Sequence, residues 1–257
     1  MSKSILQINL GNFGSTGGIM EGIAQLGKAR GMCFYSAFPF NQVNAPLKET
    51  DILTGTLIEN KINSFFGRIT GLYSCFSSIP TLHFLRKVKK LNPDIIHFHN
   101  LHSSNLSLPI LFSFIKKRKG KVIWTLHDCW AFTGHCPHFD MIGCDKWKTG
   151  CFNCPQYHVY PASKTDNSKM MYRLKKKWFT GIRDMTIVTP SEWLAGLVKQ
   201  SFLREYPVKV IHNGIDLSVF QPTQGDFREK YHLEDKKILL GVACPWSERK
   251  GLDVFVE

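Results

Sequence analysis

The sequence predicts an α/β protein built on a doubly wound parallel sheet, and three observations carry that expectation. Short apolar runs recur near 4–10, 32–37, 95–99, 121–126, 185–189 and 208–212. Stretches with apolar residues at helical spacing separate them, and clusters of Gly, Pro or Asn punctuate the junctions. Strands that alternate with helices are joined by crossovers, not hairpins, so they run parallel with the helices covering both faces. With 257 residues, 43% of them hydrophobic and 12% aromatic, the chain has material for one large or two smaller packed domains.

The first run, 4–10, leads into Gly11-Asn12-Phe13-Gly14-Ser15-Thr16-Gly17-Gly18, after which Ile19, Met20, Ile23 and Leu26 recur at helical spacing. A strand, a glycine loop and a helix let backbone N–H groups approach a phosphate or sugar at the helix N-terminus. The glycine spacing is not the dinucleotide fingerprint, and no acidic residue ends the run Met32 to Ala37, which argues against a nicotinamide or flavin cofactor. Residues 38–60, with Pro39 and Pro46, read as loop, and helices are expected at 61–75 and 80–91. The first of these is apolar and basic at once, with Ile62, Phe65, Phe66, Ile69 and Leu72 beside Lys61 and Arg68. Core packing is the expected fate of most of its apolar residues; adherence to a membrane surface is the functional alternative.

Asn92-Pro93-Asp94 is a turn before a short buried strand, Ile95 to His99, that sets His97 and His99 on one face and is followed by His102. Without a carboxylate at ligand spacing these histidines read as a polar cleft wall. A helix over Leu106 to Lys119, closed by Gly120, leads to the strand Lys121 to Leu126, which ends in His127-Asp128. Ligands of open α/β sheets bind beyond the carboxyl ends of the strands, so this pair is a candidate site.

Next comes a cysteine-rich insertion, 129–155, holding five of the eight cysteines. The start of the chain is too short and polar for a signal-peptide core, and no apolar run approaches membrane-spanning length, so a cytoplasmic location with reduced thiols is expected. Cys136, Cys144, Cys151 and Cys154 are the expected ligands of one closed, structural zinc, with His135 and His138 as substitutes; Cys129 is assigned to the cleft or core. Asp166-Asn167-Ser168 opens a helix through Met171, Leu174, Trp178 and Phe179, and another helix carrying Trp193, Leu194, Leu197 and Val198 follows the strand at 185–189. The first domain is expected to cover 1–212, with a linker at 213–226. A second domain would begin at 227, with a strand at Lys237 to Ala243 and a helix from Leu252.

The net charge of +13 gathers at 86–90, 116–119 and 175–177, each run being read as a solvated face. Nucleic acid, anionic lipid or phosphorylated substrates would all answer to such a field. A zinc-stapled nucleic-acid-binding module is the weaker alternative, because aromatic residues are not interleaved with the basic clusters and no helix-turn-helix spacing occurs.

Gly17-Gly18, Pro93-Asp94-Ile95-Ile96-His97, Thr125-Leu126-His127-Asp128, Thr189-Pro190-Ser191, Asn213-Gly214-Ile215-Asp216 and Lys250-Gly251, in this order across nearly the whole chain, resemble the family-four retaining glycosyltransferases of the bacterial colanic-acid or capsule type. The resemblance implies the GT-B fold, two Rossmann-like domains facing across a cleft. It implies a nucleotide-sugar co-substrate, no catalytic metal, and a lipid-linked or oligosaccharide acceptor on the cytoplasmic face of the membrane. It makes His127 the catalytic-cleft residue that hydrogen-bonds the sugar; Asp128 beside it, and His99 and His102 of the polar cleft wall, are the further substrate contacts expected from their place in the sequence. Gly17 and Gly18 would touch the donor phosphate or sugar, and Arg249 and Lys250 the diphosphate, where fixed cations stabilise the charge gained by the leaving group. The donor-binding domain, 227–257, is expected to be incomplete, so the chain is expected not to transfer sugar unaided, or to be a non-catalytic remnant that binds sugar phosphate.

Overall fold

The computed structural model describes residues 2–39, 46–243 and 246–256. The chain divides into two compact units, Met1–Asn213 and Gly214–Glu257. In the first, the strands are β1 (Ser4–Ile8), β2 (Cys33–Phe38), β3 (Asp51–Leu53), β4 (Ile95–Phe98), β5 (Lys121–Thr125), β6 (Met185–Thr189) and β7 (Val208–Val210). The helices are α1 (Gly14–Ala29), α2 (Leu57–Thr70), α3 (Ser78–Leu91), α4 (Leu108–Lys117), α5 (Ser168–Phe179) and α6 (Glu192–Gln200). All seven strands join one sheet in the order β3-β2-β1-β4-β5-β6-β7, and every pairing is parallel. The doubly wound Rossmann-like sheet expected from the sequence is therefore present.

Alternation along β1 sends side chains to two cores. Ile5 packs with Ala24 of α1 and Phe34 of β2, while Leu6 and Ile8 join the larger cluster on the opposite face. Gly27 is required for the smaller core, since a Cβ there would lie 2.0 Å from the Phe34 ring. At the centre of the larger core, Phe179 of α5 sits 4.6 Å from Phe112 of α4 and 4.8 Å from Trp124 of β5, between ring centroids. Tilted and edge-on aromatic pairs of this kind contribute about 0.5–1.5 kcal/mol each beyond the area they bury.

Within the first unit the structure departs from the sequence expectations at four places. The loop read over 38–60 contains β3, a three-residue edge strand on β2; its residues 40–45 lie outside the described residues. The helix expected at 61–75 starts earlier and stops at Thr70, where Gly71 takes the left-handed conformation that ends a helix (φ 71°). Ile62, Phe65, Phe66 and Ile69 are exposed, not packed in the core, whereas Leu72, beyond the end of the helix, packs against the larger core as expected. Lys175, read as part of a solvated run, is completely buried, because it lies on the same face of α5 as Met171 and Trp178.

The second unit contains α7 (Phe227–Lys230), a single 3₁₀ turn at Glu248–Lys250 and α8 (Leu252–Val256). The strand expected at 237–243 is absent: strand structure needs a ladder partner, and among the described residues nothing pairs with this run, whose Leu239, Leu240 and Val242 are exposed.

Candidate active site

The strand order fixes where a ligand crevice opens. From β1 the chain winds outward through β2 and β3, then returns to lay β4 on the other side of β1, so the crossovers diverge beyond the carboxyl ends of β1 and β4. The glycine loop, the segment after His99 and the His127-Asp128 pair all emerge at this edge.

Asn9, buried at the end of β1, ties two of these segments together. Its Nδ2 donates to the Gly11 carbonyl at 2.9 Å and to Thr16 Oγ1 at 3.2 Å, and its Oδ1 accepts from the Asn100 N–H at 3.2 Å. Phe13 precedes α1 without a side-chain cap, which leaves the first amides of that helix as donors for an oxygen-rich ligand. Gly17 is packed so closely that a Cβ would lie 2.5 Å from the Asn12 carbonyl carbon, whereas Gly18 is exposed with open space where a Cβ would be. Gly17 thus shapes the loop and Gly18 is the accessible member of the pair.

A chain of hydrogen bonds runs from β1 to His127. Gln7 Nε2 donates to the Met20 carbonyl at 2.8 Å, which turns Gln7 Oε1 toward His99 Nε2, 3.1 Å away. His99 Nδ1 in turn lies 3.1 Å from His127 Nε2, and the two rings are nearly parallel, at 11°. Burial lowers the pKa of His97 to about 4 and holds His99 well below the ordinary value; His127 is also lowered by burial, against the opposing Asp128 carboxylate. All are neutral near pH 7, so each ring has one donor and one acceptor. The Gln7 oxygen requires the proton of His99 on Nε2; His99 Nδ1 then accepts, and His127 Nε2 must donate to it. What remains on the half-buried His127 is the Nδ1 lone pair, an acceptor for a hydroxyl. His97 is hydrogen-bonded to Thr125 Oγ1 at 2.8 Å and its ring lies tilted 4.3 Å from that of His99, and the Trp124 indole donates to the His99 carbonyl at 2.9 Å.

Asp128 Oδ1 accepts from the Trp130 N–H at 2.9 Å and Oδ2 lies 4.0 Å from His102 Nδ1; burial lowers the His102 pKa, opposed by Asp128. The turn that follows is held from α5, where Lys175 Nζ donates to the carbonyls of Trp130 (2.8 Å) and Thr133 (3.1 Å) and sits 3.4 Å from the Trp130 ring centroid. Burial brings the Lys175 pKa down to about 7, with Cys151, Cys136 and Asp128 opposing.

Cys136, Cys144, Cys151 and Cys154 line one pocket with Thr133 and Trp147. All are free thiols; the Cys136 thiol hydrogen-bonds Cys154, and Cys151 Sγ accepts from the Gly134 N–H at 3.1 Å. Among the described residues no group of three or more His, Cys, Asp or Glu is arranged to hold a metal ion, so the expected zinc is not supported. Burial raises the Cys151 thiol to about 11, and the hydrogen bond between Cys136 and Cys154, which raises Cys136 further with burial adding to it, brings Cys154 down to about 7. The insertion is instead held by aromatic packing, with Phe139 and Trp147 stacked at 4.9 Å, and by Asp166 Oδ2 accepting from the Cys154 N–H at 2.8 Å.

The structure thus brings His127, Asp128, His99 and His102 to the edge where the glycine loop emerges. Arg249 and Lys250 are exposed on the 3₁₀ turn of the second unit. Sequence reasoning missed Gln7, Asn9 and Lys175; of these, the lysine on the apolar stripe of a helix was a visible signal, whereas Gln7 and Asn9 stand out only once the burial of their strand is known.

The model of Glycosyltransferase Family 4 matches residues 62–219. A protein of Escherichia coli (strain K12) named as a colanic acid biosynthesis glycosyl transferase, WcaC, is 35% identical over 133 residues, covering 49% of this chain and 32% of its own. The processive diacylglycerol alpha-glucosyltransferase of Acholeplasma laidlawii is 35% identical over 81 residues, 30% of this chain and 24% of its own. The matched stretches span about a third or less of these relatives' lengths. Among solved structures, sucrose-phosphate synthase from Thermosynechococcus elongatus superimposes with a TM-score of 0.56 at 13% identity, over 90% of this chain and 53% of that one, a likeness of fold. Among the described residues no helix is long and apolar enough to cross a membrane.

Proposed function

Because this chain belongs to glycosyltransferase family 4, we propose that it carries the acceptor-side cleft of a retaining hexosyltransferase that moves sugar from a nucleotide-sugar to a lipid-linked or oligosaccharide acceptor in bacterial surface-polysaccharide synthesis. The observation that supports this most is the Gln7–His99–His127 hydrogen-bond chain, which leaves a neutral imidazole acceptor beside a glycine loop. A sugar hydroxyl seated on His127 Nδ1 would be oriented by a group that is fixed through His99 to the core, and orientation of this kind supplies a large part of the rate. Gly18 and the free amides of α1 suit a phosphate or sugar oxygen, and Asp128 and His102 offer further polar contacts along the same edge. Arg249 and Lys250 are proposed for the donor diphosphate, whose growing charge fixed cations would stabilise. One curated relative is named for colanic acid biosynthesis and one for diacylglycerol, which supports a polysaccharide or glycolipid product; a lipid-linked acceptor would set this work at the inner face of a membrane.

The test is transfer of labelled sugar from uridine- and guanosine-diphosphate sugars to membrane extract by the polypeptide as its gene encodes it, with His127→Ala beside the parent. Labelled lipid-linked product with the parent and a fall of about 100-fold or more in the variant is expected. Product formed equally by both would remove His127 from the reaction.

A further inference from the structure

Helix α2 is inside out. Its apolar residues Ile58, Ile62, Phe65, Phe66 and Ile69 face solvent, Ile58 at 71% and Phe65 at 59% exposure, while Asn60, Asn63, Ser64 and Gly67 are its covered side. A surface helix ordinarily buries its apolar stripe. Here the helix is specified without that burial: Thr56 and Glu59 form a reciprocal capping box at its start, and Gly71 closes its end. The segment behind it fixes which way it faces. The Lys164 N–H donates to the Arg68 carbonyl at 2.7 Å, Thr165 Oγ1 to Ile69 O at 2.8 Å and Asn167 Nδ2 to Thr70 O at 2.6 Å.

The exposed stripe continues beyond the helix. Phe66 packs 5.7 Å from Phe76, which is followed by exposed Ile79 and Leu82 on α3. A contiguous apolar surface of this extent marks an interaction site. Its flanks are basic: Lys61 and Arg68 on α2, then Arg86, Lys87, Lys89 and Lys90 along α3. The only carboxylate on either helix is Glu59, which is occupied in the cap. The same turn is bonded to the segment that follows His99, through Ser74 Oγ to Leu101 O at 3.2 Å and through Ser77 Oγ to Ser104 O. The patch is thus anchored beside the crevice.

We propose that the outward face of α2, continued by Phe76, Ile79 and Leu82, is a docking surface for an anionic lipid bilayer. Apolar side chains would enter the acyl boundary and the flanking Lys and Arg would meet the headgroups, the composition of a helix that lies in the membrane interface. Charge selects this occupant over a second copy of the chain, which would bring an identical basic border against this one. The inference deepens the proposed function, on which it rests for the identity of the acceptor, because it sets the crevice beside the surface where a lipid-linked acceptor resides.

The experiment is co-flotation of the protein with vesicles of phosphatidylethanolamine and phosphatidylglycerol, compared with vesicles of phosphatidylcholine alone. Binding to the anionic vesicles, weakened by salt, is expected; Ile62→Ser combined with Phe65→Ser, and separately Lys61→Glu combined with Arg68→Glu, should each reduce it by about tenfold or more. These positions are exposed, so unchanged thermal melting checks that the fold persists. Failure of the parent to float, or equal flotation of the variants, overturns the proposal, as does sedimentation equilibrium showing a dimer that the same substitutions dissociate. Transfer to a short-chain, water-dispersed acceptor is read in parallel: its loss with flotation intact would sink the transferase reading and leave the docking surface standing.

Discussion

At the scale of single residues, the tautomer of His127 is decided two residues away from it in the hydrogen-bond chain, at Gln7. Replacing Gln7 by Leu removes the acceptor that holds the His99 proton on Nε2, and His99 can then present a donor where His127 also has one. The expected result is a fall of about tenfold in kcat/KM through misorientation, with little change in melting temperature. Gln7→Glu provides the sharper readout. A carboxylate there favours protonated imidazole at His99 and raises the pH at which the pair charges, so the acid limb of the kcat/KM profile should move upward. An unshifted profile in Gln7→Glu would show that Gln7 does not act through the histidines. His127 and His99 were legible in the sequence because a polar pair at the end of an apolar run is conspicuous. Gln7 was not, because a lone glutamine at a strand centre is recognisable only once burial is known.

At the scale of elements, the cysteine insertion and α5 form one packed piece, and Gly134 shows how tightly. A Cβ at this position would lie 2.3 Å from the Ser168 carbonyl oxygen and 2.6 Å from Cys151 Cβ. Gly134→Ala should therefore destabilise the protein by roughly 1–3 kcal/mol, as overpacking does, measured as a lowered urea midpoint with an unchanged slope. A midpoint equal to the parent's would mean that the insertion yields freely. The elements themselves were largely readable, since apolar runs and helical spacing survive without tertiary information. Two kinds of information were missing. Periodicity gives the amphipathic face of α2 but not its direction, which depends on hydrogen bonds from 164–167, nearly a hundred positions away. The edge strand β3 has only three residues and begins with a polar Asp51, so nothing in its pattern stood out from the loop.

For the whole molecule, the buried histidines set a pH limit on stability. His97 and His135 are held down to about 4 by burial, against 6.5 in the unfolded chain. Above pH 6.5 neither state binds the proton, and these residues contribute nothing to the pH dependence. Between pH 6.5 and pH 4 the unfolded chain takes up protons that the folded one refuses, so stability falls as pH falls. Each of the two would cost roughly 3 kcal/mol by the time pH reaches 4, at about 1.4 kcal/mol per pH unit. Urea unfolding followed from pH 7.5 down to about 5 should show a progressive loss, shallower in His97→Gln. A flat profile over that interval would mean the imidazoles are charged in the folded protein.

The reciprocal bonds of Thr56 and Glu59, the left-handed Gly71 and the 164–167 clamp have a consequence for the kinetics of surface encounter. Many interfacial helices are coils in water and coil-to-helix ordering accompanies adsorption, which slows capture and subtracts conformational entropy from the affinity. Helix α2 is already wound and aimed before any bilayer is met, so on the docking proposed above adsorption would be a rigid-body landing, limited by diffusion and by the attraction between its basic border and the lipid charge.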